Sequence, residues 1–318
     1  MSARSIAVDL IELQICPVCG SDTHSAFESI DEGIRTVDYR LCENCGTVFQ
    51  SPRMTDEALD SYYEAEYISQ HQHASGVTDK ELRIQAGRAR NLLKLLSRNV
   101  VSVERYLDIG SSTGSLMVTV REAYDCDAYG VEPADVYRAY CTARGLTVFP
   151  ELKALAGLDG PRFDLITMAH VVEHLPDPVG YLRDLRETWL SPGSTVLIEV
   201  PNLFGHRSVE IPHLFCFSAG TLHYTLARAG YEVVAMGRHG APRSRLIPLY
   251  LTAIARPLTG DREVRLARTT AAGGDLPRNI KSSARMVRLR RRTGMAWHRL
   301  ATRFAPGWAW LPLPSLNE

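Results

Sequence analysis

No run of about 18 consecutive apolar residues occurs in this 318-residue chain, which excludes a transmembrane helix of ordinary length. The opening MSARSIAVDLIELQICP lacks the long apolar core and small-residue cleavage site of a secretory signal, so a cytoplasmic location is expected. Net charge is missing too: 36 Lys and Arg balance 36 Asp and Glu. The balance conceals an asymmetry. Residues 258–318 hold 12 basic against 4 acidic side chains, which leaves residues 1–257 at −8. Cysteine is scarce and odd in number, seven in all, and four of the seven fall in two CxxC pairs. In a reducing compartment that arrangement points to metal rather than disulfides. Cys126, Cys141 and Cys216 fit no pairing pattern and read as ordinary thiols.

The two pairs are Cys16-Pro-Val-Cys19-Gly20 and Cys42-Glu-Asn-Cys45-Gly46, separated by 22 residues. Each turn aims two thiolates at one ion, and the glycine after the second cysteine relieves the tight turn. Cys16, Cys19, Cys42 and Cys45 are therefore the expected zinc ligands. Four thiolates leave no open position, so the ion should fold the segment rather than catalyse. A redox CxxC would occur once, beside a βαβ pattern.

A third absence concerns glycine. Tyr106–Gly114, YLDIGSSTG, runs an apolar strand into a glycine turn before the helical SLMVTVREAY, but its spacing is GxxxG, and the third glycine of a dinucleotide fingerprint is missing. From residue 103 strands and helices alternate: ERYLDIG, SLMVTVREAY, AYGVEP, ADVYRAYCTARG, LTVF, FDLITMAHVVEHL, PVGYLRDLRETWL, STVLIEVPN. Such alternation implies a parallel sheet covered on both faces. Glu132 ends the second strand 22 residues after Gly110, where a carboxylate can accept hydrogen bonds from both hydroxyls of a ribose.

The ordered set DIGSSTG, GVEP, FDLITMAHVVEHLPDP, LSPGSTVLIEVPN resembles the class I S-adenosylmethionine-dependent methyltransferases over about residues 100–257. The resemblance implies an α/β, Rossmann-like seven-stranded methyltransferase sheet of order 3-2-1-4-5-7-6, with the last strand antiparallel. STVLIEV, YEVVAMGR and LIPLYLTAIAR would be its strands five, six and seven. It places cofactor contacts on Asp108, Gly110, Ser112, Gly114 and Glu132, and lines the methyl-transfer cleft with Met168, Ala169 and His170. His170-Val-Val-Glu173-His174 also reads as an inverted zinc-peptidase motif. That reading is set aside, because the run follows a buried parallel strand and Leu175-Pro176-Asp177-Pro178 would cut a helix at once.

The implied organisation is a small N-terminal zinc-knuckle module (12–52), a helical connector or lid (53–99), the methyltransferase domain (100–257) and a basic C-terminal tail (258–318). The knuckles, the tyrosine-rich SYYEAEY and the element EIPHLFCFS together resemble the zinc-knuckle methyltransferases that include deoxysugar C-methyltransferases. Those enzymes typically show YHEHLSYFS. His213 matches the second histidine of that element, while Glu210, Ile211 and Pro212 replace its tyrosine, first histidine and glutamate. These departures put sugar C-methylation by that machinery in doubt and leave methyl transfer itself standing. A histidine is the natural base for a hydroxyl or acidic carbon, which makes His213 the first catalytic candidate, with Glu210 and Tyr67 behind it.

The leading expectation is methylation at O or C of a small-molecule acceptor, a sugar or a natural-product or surface-glycan intermediate. Two alternatives stand beside it: an RNA methyltransferase gripping nucleic acid through its knuckles and tail, and a zinc-stabilised binding module with an inactive core. The acidic first 257 residues argue against a nucleic-acid partner. In the tail, ARMVRLRRRTGMAWHRLATRF draws as a helix with Met286, Leu289, Trp297, Leu300 and Phe304 on one side. It is expected to lay that side on the core and keep a solvated basic face, the sharper alternative being a surface for an anionic partner: a nucleotide-sugar phosphate, a lipid headgroup in peripheral membrane contact, or RNA.

Overall fold

The computed structural model describes residues 9–31, 36–62, 76–158, 162–206, 212–259 and 284–304. Tyr67 and Glu210, two of the catalytic candidates, lie outside the described residues. The N-terminal part comprises β1 (Leu10–Ile11), β2 (His24–Asp31), β3 (Thr36–Cys42), β4 (Val48–Gln50), β5 (Arg53–Met54) and α1 (Asp56–Tyr62). There follow α2 (Asp79–Leu96), β6 (Arg105–Ile109), α3 (Ser115–Tyr124), β7 (Asp127–Val131), α4 (Asp135–Ala143), β8 (Thr147–Phe149), β9 (Phe163–Ala169) and α5 (Pro178–Trp189). The remainder is β10 (Leu190–Pro201), β11 (Phe215–Cys216), α6 (Ala219–Arg228), β12 (Tyr231–His239), β13 (Tyr250–Pro257) and α7 (Ala284–Phe304). Among the described residues no helix is long and apolar enough to cross a membrane.

Seven strands form one sheet in the order β12-β13-β10-β9-β6-β7-β8, with β13 antiparallel to both neighbours and the other pairs parallel. Numbered along the chain this is 3-2-1-4-5-7-6, as expected. Its central strands are apolar at nearly every position because both faces are covered. Tyr106, Leu165, Leu197 and Ile254 meet Ala89, Leu92 and Leu96 of α2 and Leu116, Met117 and Val120 of α3 on one face. Leu107, Ile109, Ile166, Met168, Ile198 and Val200 meet Val179, Leu182, Leu185, Leu222 and Leu226 on the other. Helix starts follow local chemistry. Thr78 and Glu81 cap α2 reciprocally, Ser218 and Thr221 do the same for α6, and Asp177 accepts from the Gly180 N–H while Pro178 opens α5.

The zinc-knuckle segment does not fold as a separate bead. β2, β3 and β4 form an antiparallel sheet whose fourth strand is β11, taken from the loop between β10 and α6, with Phe215 opposite Phe49 and Cys216 opposite Val48. The sheet thus crosses the boundary drawn at residue 52.

The tail helix corrects one expectation. α7 does lie on the protein, but through Ala284, Val287 and Arg291, which are buried. Arg291 donates to the carbonyls of Leu203 and His206 and pairs with Glu28 of β2 at 3.1 Å. Met286, Leu289, Trp297 and Leu300 face the opposite way and are 42–55% exposed. The sequence offered two faces at helical spacing. The apolar one lost because the neighbouring loop carbonyls and Glu28 supply partners for a guanidinium, whose stem packs as well as its head binds.

Candidate functional site

Three groups of side chains converge on the carboxyl ends of β6, β7, β9 and β10, the position where open α/β sheets bind ligands. The first is the glycine turn. Gly110 (φ 75°) and Gly114 (φ 70°) occupy the left-handed region; a Cβ would lie 2.6 Å from Val171 at the first and 2.4 Å from Leu146 at the second. Ser112 between them is also left-handed, at φ 47°. Its N–H donates to Glu132 Oε2 at 2.8 Å, while Glu132 Oε1 accepts from the Ala134 N–H at 2.9 Å. The carboxylate therefore clamps the turn and still keeps one lone pair per oxygen for a ligand. Burial raises the Glu132 pKa, against the pull of these two N–H groups and Arg138, and leaves it above its ordinary value. Met168 pairs with Ile109 in the sheet, so the last residues of β9, Met168 and Ala169, border the start of the turn.

Asp108 is buried beneath the turn. It accepts from the Thr167 hydroxyl at 2.6 Å, which in turn is 2.7 Å from Tyr106 Oη. Burial pushes its carboxyl up to about 7, with Thr167 and Tyr106 pulling down and the charge of Glu132 pushing further up. The folded chain then holds a proton that the unfolded chain, with an ordinary Asp pKa of about 3.9, has already lost. A raised acid favours the folded state at low pH and loses that advantage as pH climbs through 4 towards 7. The melting temperature of Asp108→Asn relative to wild type should therefore increase over that interval. A constant offset would mean that Asp108 does not titrate there.

The second group surrounds His170, which follows β9 with φ 61°, a sparsely populated conformation for a side-chain-bearing residue. Its N–H donates to the Glu199 carbonyl at 2.8 Å. The ring sits between two fully buried carboxylates, Nδ1 3.3 Å from Glu173 Oε1 and Nε2 3.4 Å from Glu199 Oε1. Burial and Arg88 lower the His170 pKa, but the two carboxylates more than offset them and hold it above its ordinary value. Glu199 also pairs with Arg88 Nε of α2 at 2.8 Å and with His239 Nε2 at 3.2 Å. Burial would raise Glu199, yet hydrogen bonding to His170 and His239 and the charge of Arg88 keep it well below the carboxylate range. Tyr250 stands among them, with the rings of His170, His239 and His206 at 5.3, 5.7 and 6.0 Å.

The third group is brought in by the N-terminal sheet. The hydroxyl of Tyr39 on β3 donates to the His213 carbonyl at 2.7 Å, and the Gln50 N–H donates to the Leu214 carbonyl at 2.8 Å. His213 is thereby held, nearly buried, with its ring edge-on to His174 at 4.9 Å. His174 Nδ1 lies 3.0 Å from the Pro212 carbonyl. The segment containing Glu173 and His174 is a single 3-10 turn, Val172–His174, so the paired histidines of a zinc-peptidase helix do not exist here.

The four cysteine thiols of the knuckles converge as expected. Cys16 and Cys45 sulfurs are 3.8 Å apart, those of Cys19 and Cys42 3.5 Å, and all four lie within 4.8 Å of one another with no disulfide. Zinc–sulfur bonds of about 2.3 Å place tetrahedral sulfurs about 3.8 Å apart, so the donor set fits zinc with little movement. Gly20 and Gly46 are left-handed, and their N–H groups close onto the Cys16 and Cys42 carbonyls at 2.8 and 2.9 Å.

Residues 80–236 match the family model of a methyltransferase domain. The chain is a class I S-adenosylmethionine-dependent methyltransferase. The matched stretch of this methyltransferase begins within α2, twenty residues before the boundary expected from sequence, and so includes Arg88. No curated protein matches the methyltransferase. Among solved structures it is similar to an S-adenosylmethionine-dependent methyltransferase of Clostridium acetobutylicum ATCC 824, at 11% identity over 63% of this chain and 100% of that one, with a TM-score of 0.43. It is similar also to one from Archaeoglobus fulgidus (18% identity, 52% and 93% of the two chains, TM-score 0.43). A third likeness is to 1,6-didemethyltoxoflavin-N1-methyltransferase of Burkholderia thailandensis, solved with 1,6-didemethyltoxoflavin and S-adenosylhomocysteine (18% identity, 74% and 99%, TM-score 0.49).

Arg88, Glu199, His239, Tyr250 and Tyr39 escaped the sequence reading. Glu199 left one signal, a lone acid inside the apolar run STVLIEV of a central strand. Arg88 left another, a cation at a position one helical turn from Leu92 on the buried face of α2.

Proposed function

We propose that the enzyme methylates O or C of a small-molecule acceptor, a sugar or a natural-product or surface-glycan intermediate, in the cytoplasm. The observation that carries this reading is the small sheet shared by the knuckles and β11. It presents His213 to His174 and Glu173, and so gathers two imidazoles and a carboxylate within 4.8 Å of one another. A basic groove for nucleic acid would be built differently.

In this reading Gly110, Ser112 and Gly114 bring backbone close to S-adenosylmethionine, Glu132 takes its ribose hydroxyls and Asp108 supports the turn from below. Met168, Ala169 and His170 line the path to the acceptor. A structural zinc held by Cys16, Cys19, Cys42 and Cys45 keeps the knuckle sheet folded. S-adenosylmethionine supplies a methyl group on a sulfonium, so the protein's task is alignment, exclusion of water and removal of the acceptor's proton. His213 accepts that proton. Glu210 and Tyr67 remain the further candidates.

His213→Ala should bind S-adenosylmethionine as wild type does and turn over the acceptor about 100-fold more slowly or worse. Calorimetry with the cofactor and turnover on a panel of sugar and phenolic acceptors test this. Unchanged turnover on a true acceptor would remove His213 from the reaction.

A further inference from the structure

Glu173 is fully buried, and among the described residues neither of its carboxylate oxygens has a hydrogen bond of good geometry. The nearest cation, His170 Nδ1, reaches only Oε1, at 3.3 Å. A buried carboxylate left in this state is costly, and a core of this size ordinarily supplies donors for it. What surrounds it instead is a second set of ligand-type atoms: one from each of Glu173, His174 and His213, all within 4.8 Å of one another.

We propose that Glu173, His174 and His213 form a second metal site that takes a divalent transition-metal ion. Two imidazole nitrogens and one carboxylate oxygen make a borderline donor set, suited to Mn²⁺, Fe²⁺, Co²⁺ or Zn²⁺ and unlike the four soft thiolates of the knuckles. Three protein ligands leave positions open, the arrangement of an ion that meets substrate rather than one that only folds the chain.

Each ligand is already oriented by a second group. A carbonyl only accepts, so His174 donates its Nδ1 proton to Pro212 O, which fixes the orientation of the ring. Beside Glu173, His170 Nδ1 lies 3.3 Å from Oε1. Tyr39 pins the backbone of His213 through its carbonyl. Donors bonded to an ion at about 2.1 Å sit about 3 to 3.5 Å apart, so loading draws the three together by roughly an ångström. The chain segments involved are a 3-10 turn and the residues just before β11, both short enough to move that far.

The inference rests on the acceptor-side reading of this site and changes the part played by His213. With an ion bound, its imidazole would be a ligand rather than the base, and the ion would supply the Lewis acidity that lets an acceptor hydroxyl release its proton to solvent.

The test is metal stoichiometry, which does not depend on knowing the acceptor. Full-length protein with its knuckle zinc in place is titrated with Mn²⁺, followed by the electron paramagnetic resonance of the free ion, and separately dialysed against Zn²⁺ and assayed for metal content. Mn²⁺ does not displace zinc from four thiolates, so it reports the histidine site alone. One Mn²⁺ per chain and a second zinc are expected in wild type. His174→Ala and Glu173→Gln should each weaken Mn²⁺ binding tenfold or more, while S-adenosylmethionine affinity, read by calorimetry, stays within about threefold and shows that both variants fold. Wild type that binds neither ion, or variants that bind Mn²⁺ as wild type does, would overturn the site. That failure is separable from failure of the methylation reading: an empty site leaves the loss of turnover in His213→Ala intact as evidence for a base, whereas a loaded site with no acceptor turnover leaves the metal centre standing.

Discussion

Glu132→Ala is expected to abolish measurable S-adenosylmethionine binding, a loss of about 100-fold or more. The carboxylate has two tasks at once. It accepts from the Ser112 and Ala134 N–H groups, and so holds the glycine turn in its left-handed course. Its remaining lone pairs are the ones the proposed reading assigns to the two ribose hydroxyls of a nucleoside in the cleft. Hydrogen bonds to a charged group contribute about 1.5 to 3 kcal/mol each, and two of them account for the first 100-fold without any loosening of the turn. Glu132→Gln separates the tasks, because an amide has one accepting oxygen and gives the other contact a donor. It should bind detectably and more weakly than wild type. Calorimetric titration reads both variants, with circular dichroism to show that the sheet persists. Glu132→Ala with wild-type affinity would falsify the assignment of the cofactor cleft.

Loss of the knuckle zinc should be nearly as severe, and in a different quantity. Stripping the ion, or replacing Cys42 by serine, is expected to lower turnover 100-fold or more and to leave S-adenosylmethionine affinity within a few-fold of wild type. The binding energy of a structural zinc is folding energy, about 10 to 16 kcal/mol in isolated zinc modules. Bound here, it would stabilise β2, β3 and β4, and those strands in turn hold β11 and His213, two residues before it. The cofactor contacts proposed at Gly110, Ser112, Gly114 and Glu132 come from β6, β7 and the turn before α3, none of which is a strand of that sheet. Zinc should restore turnover to the stripped wild type, and neither zinc nor Mn²⁺ should restore it to Cys42→Ser. If the zinc-free enzyme keeps its turnover, the knuckle sheet does not position the acceptor site.

The core of the fold could be read from the chain because it is written in local terms. Alternating strands and helices, caps at Thr78, Asp177 and Ser218, and left-handed glycines at a strand end each depend on neighbours a few residues away. The cysteine tetrad was legible for a related reason: CxxC spacing fixes each half of the site, and only one other half exists. The tail was misread because spacing identifies two helical faces without saying which has a partner. Met286, Leu289, Trp297 and Leu300 look like a buried stripe, but Glu28 and two loop carbonyls select the face that carries Arg291.

The sequence by itself determined the class of the protein: a seven-stranded sheet, a glycine turn tied to Glu132, and four thiols brought to one place. Only the tertiary structure decided what stands around the reacting centre. Arg88, Glu199 and His239 are brought to His170 from α2, β10 and β12, and Tyr39 reaches His213 across 174 positions of chain. No spacing rule connects such residues. Their meeting depends on strand register and on the borrowing of β11 by the knuckle sheet, and both follow from packing of the whole core rather than from any local run of residues.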